Sequence, residues 1–277
     1  MANILSQEKR EAVIRCLVNG TSVRATERIA DVHRDTILRF MVKIGANCER
    51  LLDEKMRNLS CRHIQVDEIW GYIAKKQRHL RPGDDPQRTG DVWTFVALDA
   101  DSKLIPVYRI GKRDLPTAMA FLNDLSGRLV NRVQLSSDAL AAYVEASEQA
   151  FGSDVDYGQI VKSYEAEPLG PGRYSPPHVI GATRKPVLGE PAFAHISTSF
   201  VERQNLTMRM NIRRLTRLTN AFSKKLENLQ AAVAVHFAYY NFGRVHQTLR
   251  VTPAMEAGLT DHIWTIPELL GIQNEGR

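Results

Sequence analysis

The chain has 277 residues, 43% hydrophobic and 25% charged, an ordinary balance for a globular protein with a real core. Lys and Arg number 37 against 31 Asp and Glu, and the formal charge of +6 suits a polyanionic partner without demonstrating one. The three cysteines, Cys16, Cys48 and Cys61, are scattered with no C-x-x-C pair, which excludes a cysteine zinc site and a disulfide framework.

The opening residues lack a basic-then-apolar leader. The longest apolar stretch, 231–242, is short and broken by His236, so a cytoplasmic chain that crosses no membrane is expected. Residues 1–60 read as all helix. Ser6 can cap a helix through Lys9, Val13, Ile14, Leu17 and Val18 that stops at Asn19-Gly20. Ala25, Ile29, Val32, Ile37 and Phe40/Met41 then fit two short helices joined at Asp31-Val32-His33, the outline of a helix-turn-helix. Its second helix, 34–42, would present His33, Arg34, Asp35 and Arg39 to a DNA major groove. Three-helix packs that bind nothing share this pattern.

From Ile64 the period changes to two. HIQVDEIWGYI reads as a strand, and DVWTFVALDADSKLIPVYRI as two more around a turn at Asp99-Ala100-Asp101-Ser102, together a three-strand meander. Asp114 caps a helix with Pro116 in its first turn. VQLSSD is a short strand ending at Asp138, ALAAYVEASEQAF a helix, and DYGQIVKSYEA one more strand. This order is mixed α/β. Residues 168–191 hold six of the 12 prolines and four glycines, and a long irregular loop is expected there. Two long helices, 198–218 and 223–242, and a capped short helix at Thr252-Pro253 complete the chain.

Three carboxylates stand out. Asp67 sits mid-strand among apolar residues, where an unpaired carboxylate is costly. Asp138 closes a strand at its C-terminal end, where α/β sheets place ligands. Glu202 lies in the first turn of a helix whose polar stripe continues through Asn205, Arg209 and Arg213. From Arg203 to Lys225 there are seven basic residues and no acidic one: Arg203, Arg209, Arg213, Arg214, Arg217, Lys224 and Lys225. Converging carboxylates suit hard divalent ions, which activate a nucleophile and stabilise charge at phosphorus, and the basic run suits phosphate contacts. Structural readings exist for each residue: an edge-strand surface residue for Asp67, a helix N-cap for Asp138, and a dipole-favoured first-turn Glu for Glu202.

With VDEIWGYIAKK, SSDAL, STSFVERQNLTMRMNIRRLTRLTNAFSKKLENL and YYNFGRVHQTLRVTPAMEAGL in view, the chain resembles DDE transposases of the insertion sequence one family across residues 60–260. The resemblance implies an RNase H-like mixed sheet with flanking helices (61–250), preceded by a small all-α helix-turn-helix domain (1–60) and followed by a short C-terminal helix and tail (251–277). It implies Asp67, Asp138 and Glu202 as ligands for Mg2+, with Mn2+ as substitute. Arg209 matches the basic residue that many such enzymes carry seven positions after the glutamate to contact the element's end. The implied partners are double-stranded DNA, as terminal inverted repeats and target, and further copies of the chain on DNA, with residence at the nucleoid. Many relatives carry an N-terminal zinc ribbon, which this chain lacks. The gap from Asp138 to Glu202 is also long for the family, and leaves Glu165, Glu167 and Glu190 as competitors.

Two other readings of the residues compete. A recombinase with a tyrosine nucleophile could draw on Tyr239, Tyr240, His236, His246, Arg244 and Arg250. A non-enzymatic helix-turn-helix regulator would bind DNA without cutting it.

Overall fold

The computed structural model describes residues 5–165 and 179–271. Short-range signals set the first helices. The Ser6 hydroxyl accepts from the Lys9 amide and opens α1 (Gln7–Val18), and Ser22 accepts from Ala25 to open α2 (Val23–Ala30). Asp31 turns left-handed at φ 47°, and α3 starts at Arg34 as expected. The inward position read at Ile29 is instead 66% exposed, and Ala30 is buried.

The expected end of α3 near residue 42 is overturned: it spans 22 residues, Arg34–Lys55. Ile37, Met41, Ile44, Cys48 and Leu52 continue one buried stripe at helical spacing, and α3 packs along α7 (Leu226–Ala238). The approach is close at Gly45, where a Cβ would sit 2.5 Å from the Ala231 backbone. Ile44, Cys48 and Leu52 belong to the same hydrophobic cluster as the sheet, so one core continues across residue 60.

One six-stranded mixed sheet has the order β3-β2-β1-β4-β5-β6. β1 (His63–Ile73), β2 (Gly90–Asp99) and β3 (Tyr108–Gly111) form the antiparallel meander. β4 (Val133–Asp138) runs parallel to β1 because α4 (Leu115–Ser126) carries the chain back. β5 (Val155–Tyr164) runs parallel to β4 by way of α5 (Ala142–Phe151). Asp114 caps α4, with Pro116 in its first turn.

Three stretches differ from expectation. Within the expected loop, Val179–Leu188 forms β6, antiparallel to β5. Pro186 is tolerated because β6 is an edge strand and the ladder shifts register beside it. The rest of that loop up to residue 178, like Glu167, lies outside the described residues.

The helix expected over 198–218 ends early, as α6 (Ser199–Asn211). Ile212 turns extended, a short turn Arg213–Leu215 follows, and Ile212 and Leu215 are both buried. A side chain satisfies one freed carbonyl, the Thr216 hydroxyl donating to Arg209 O. The helix expected over 223–242 is α7, followed by a π turn at Tyr239–Gly243. Short helices α8 (Pro253–Glu256) and α9 (Ile266–Leu269) close the described chain. Among the described residues no helix is long and apolar enough to cross a membrane.

Candidate functional site

On β1 the polar residues His63, Gln65 and Asp67 alternate with Ile64 and Val66, which are fully buried. Gln65 Oε1 accepts from the amides of Phe200 (2.9 Å) and Val201 (3.1 Å). Among the described residues α6 has no side-chain cap at its own N-cap position, so Gln65 supplies it from the sheet and holds the helix over this face. In the parallel ladder Gln65 pairs with Ser136. That is the last pair of the ladder, and Asp67 and Asp138 each follow it by two residues, on the same face of their strands.

Carboxylate oxygens of Asp67, Glu68 and Asp138 lie within 4.8 Å of one another. Glu68, the next residue on β1, was not singled out from sequence; its side chain is 3% exposed, accepting from Arg113 Nε (2.6 Å) and the hydroxyl of the wholly buried Tyr143 (3.0 Å). Arg113 also lies 3.7 Å from Asp138. Asp138 Oδ1 accepts from Leu140 N, so it braces the turn before α5 rather than capping the helix, which starts at Ala142. Neither Arg113 nor Gln65 was singled out from sequence. The available signal was a charged Glu68 on an apolar strand, which requires a partner, and an amide side chain at the next polar position of β1.

Glu202 is outside this tight cluster but close to it. Its carboxylate accepts from Lys162 on β5 and from the Thr198 hydroxyl. One turn on, Asn205 Nδ2 donates to Asp67 Oδ2 (2.9 Å). Burial first, then Glu68, Asp138 and Glu202, hold the Asp67 carboxyl up at about 7, against the Glu68 amide that favours its charge. Burial and Asp138 likewise raise Glu68, with Arg113 opposing.

The two described competitors, Glu165 and Glu190, lie elsewhere. Asp138 pairs with Ile160, and Glu165 is five residues beyond it on an exposed end. Glu190 donates its amide to Asp156, which pairs with Gln134 near the opposite end of β4.

The basic residues scatter. Arg34 and Arg39 are both exposed but five positions apart on α3, about 140° around the helix, and line different cavities. Arg203, Arg213, Arg217, Lys224 and Lys225 are exposed. Arg209 folds back to donate to Leu215 O, and Arg214 is half-buried against Ser223. The stripe Glu202–Asn205–Arg209 is interrupted before Arg213 by the end of α6.

Of the tyrosine set, Tyr240 and His236 lie together, their rings 6.2 Å apart, but the phenol is taken up within the core. Tyr240 is 4% exposed, donates to Lys103 O, and has its phenol pushed far up by burial. Asn241 is buried and bonds both the N–H and the carbonyl of Ile105, while Arg244 and Arg250 are exposed.

A cation's fit follows from the donors. Three carboxylates converge, two of them on the Arg113 guanidinium, and among the described residues Asn205 Oδ1 is a buried acceptor without a partner. All are hard oxygen donors, the kind that Mg2+ and Mn2+ take. No protein-family model matches this chain, and no curated protein matches it.

Proposed function

We propose that the chain is a metal-dependent DNA transposase that cleaves at element ends and transfers the strand into target DNA, with Asp67, Asp138 and Glu202 as its acidic set. The observation that carries this reading is the convergence of the Asp67 and Asp138 carboxylates from adjacent parallel strands, beside a helix bearing Glu202 and Asn205. The strand order and mixed directions are compatible with an RNase H-like fold.

A bound Mg2+ or Mn2+ would lower the pKa of a water and stabilise charge on the phosphorus oxygens. Asp67 and Asp138 would hold it. Asn205 orients Asp67 through its amide, and Arg113 ties Glu68 to Asp138 so that the cluster keeps its geometry. Lys162 neutralises Glu202 as the third carboxylate and is a ready contact for a phosphate diester. The α2–α3 turn, with His33, Arg34 and Asp35 exposed, is assigned to reading the element's end as a helix-turn-helix, with Arg39 on another face of α3. A reaction on two ends requires more than one copy on DNA.

The test is incubation with duplexes carrying the flanking inverted repeats and Mg2+ or Mn2+, wild type beside Asp138→Ala. The wild type should nick at the repeat terminus and the variant should fall to background. Nicking that is equal in both would remove the carboxylate assignment, and DNA binding without any nicking would favour the regulator.

A further inference from the structure

A cavity of about 630 Å³ lies between α1–α3 and the segment 211–236. That volume is within the range of about 300–1,000 Å³ for small-molecule sites. Five cations line it, Arg24, Arg34, Arg213, Arg214 and Lys224, and no Asp or Glu does. Among the described residues none of the five makes an ion pair. With 31 acidic residues in the chain, a lining of this sign is not an ordinary solvated surface, where both charges mix.

The floor is more telling than the rim. Arg214 is half-buried and donates to the Ser223 hydroxyl (3.1 Å), and among the described residues its one other hydrogen-bond partner is Met41 sulfur at 3.9 Å. A guanidinium has five N–H donors, and a cation drawn partly out of water without a counter-ion is costly. His236 lines the same cavity at 3% exposure, and among the described residues neither ring nitrogen has a partner. Burial holds its imidazole down at about 3, so the ring is neutral and offers one donor and one acceptor. Leu38, Met41, Phe222 and Val235 supply an apolar wall. Together these features ask for an anion with a flat, polar-edged body.

We infer that the cavity binds a nucleotide, its phosphate on Arg214 and the rim cations and its base or sugar on the apolar wall with His236. The nucleotide could be free or part of a DNA strand turned out of its stack. The chemistry is the same. The site uses none of the clustered carboxylates and stands apart from the proposed catalysis.

Metal-free protein would be titrated calorimetrically with AMP, adenosine and inorganic phosphate, and by anisotropy with a short single-stranded oligonucleotide. Wild type should bind AMP saturably, with adenosine and phosphate each weaker. Arg214→Met should weaken AMP about tenfold or more, as for loss of a charge-assisted hydrogen bond. The exposed double variant Arg24→Gln/Lys224→Gln, which leaves the core untouched, should weaken it severalfold and carries the test if Arg214→Met does not fold. AMP binding without oligonucleotide binding assigns the site to free nucleotide. Oligonucleotide binding that depends on Arg214 and competes with AMP assigns it to a strand. Asp138→Ala should bind AMP like the wild type, so this site and the carboxylate site fail separately. No saturable binding of either probe, or binding unchanged in both cavity variants, overturns the inference.

Discussion

The two sides of the acidic site are held by different means. Asp67 and Asp138 are placed by backbone: each follows the Gln65–Ser136 pair by two residues, and each is itself paired on its other side, Asp67 with Val96 and Asp138 with Ile160, so neither can shift without breaking a ladder. Glu202 and Asn205 owe theirs to side chains, through Gln65 under the first amides of α6 and Asn205 on Asp67. A strand pair is therefore a fixed seat, while the helix is a piece that can be re-docked. The position of Glu202, paired with Lys162 beside the cluster rather than within it, belongs to that second kind of construction.

The largest effect that can break this contrast is on metal. Asp67→Asn and Asp138→Asn should each abolish Mn2+ binding measured by electron paramagnetic resonance. Glu202→Gln should keep binding at the strand pair while losing nicking. Equal loss of Mn2+ in all three would show the helix side to be as fixed as the strands.

A smaller effect sharpens the role of Gln65. Gln65→Leu strips the cap from α6 without touching a carboxylate. Urea unfolding should show a loss of about 0.5–2 kcal/mol, as for other lost caps. Nicking should fall by about 10–100-fold, the usual scale for a supporting residue. Lost stability with unchanged nicking would mean α6 finds its seat without the sheet.

A graded effect is in pH. The Asp67 carboxyl is held at about 7 in the fold, and returns to the ordinary carboxylate range on unfolding. Between those values the folded chain binds a proton that the unfolded chain does not, so this stabilisation is present at acid pH and is lost as pH rises through about 7. In metal-free urea unfolding, Asp67→Asn should gain on the wild type between pH 5 and pH 8, by at most about 1.4 kcal/mol per pH unit. Parallel pH profiles would mean that the charge at Asp67 is already balanced.

Features carried by neighbours in sequence were legible without the structure. Ser6, Asn19-Gly20, the turn at 31–33 and Asp114 with Pro116 all act within a few residues, and each lies where the sequence put it. The meander and the strand ending in Asp138 followed from period-two patterning. The misses share a cause, which is distance along the chain. Pro186 argued against a strand until the strand proved to be an edge. The basic stripe argued for a longer α6 until Ile212 and Leu215 were seen turning into the core. Glu68 drew no notice in sequence because Arg113 and Tyr143, which keep its carboxylate at the cluster, come from 45 and 75 residues away.

By itself, then, the sequence determined helix caps, strand periods and the presence of isolated acids in apolar surroundings, because those depend on torsional preference and local burial. Tertiary structure alone decided which carboxylates meet and which of the basic residues face solvent. It also decided that Arg214 and His236 share a cavity with no acidic lining. Meetings of that kind depend on strand register and helix packing between segments far apart in the chain, and no local pattern encodes them.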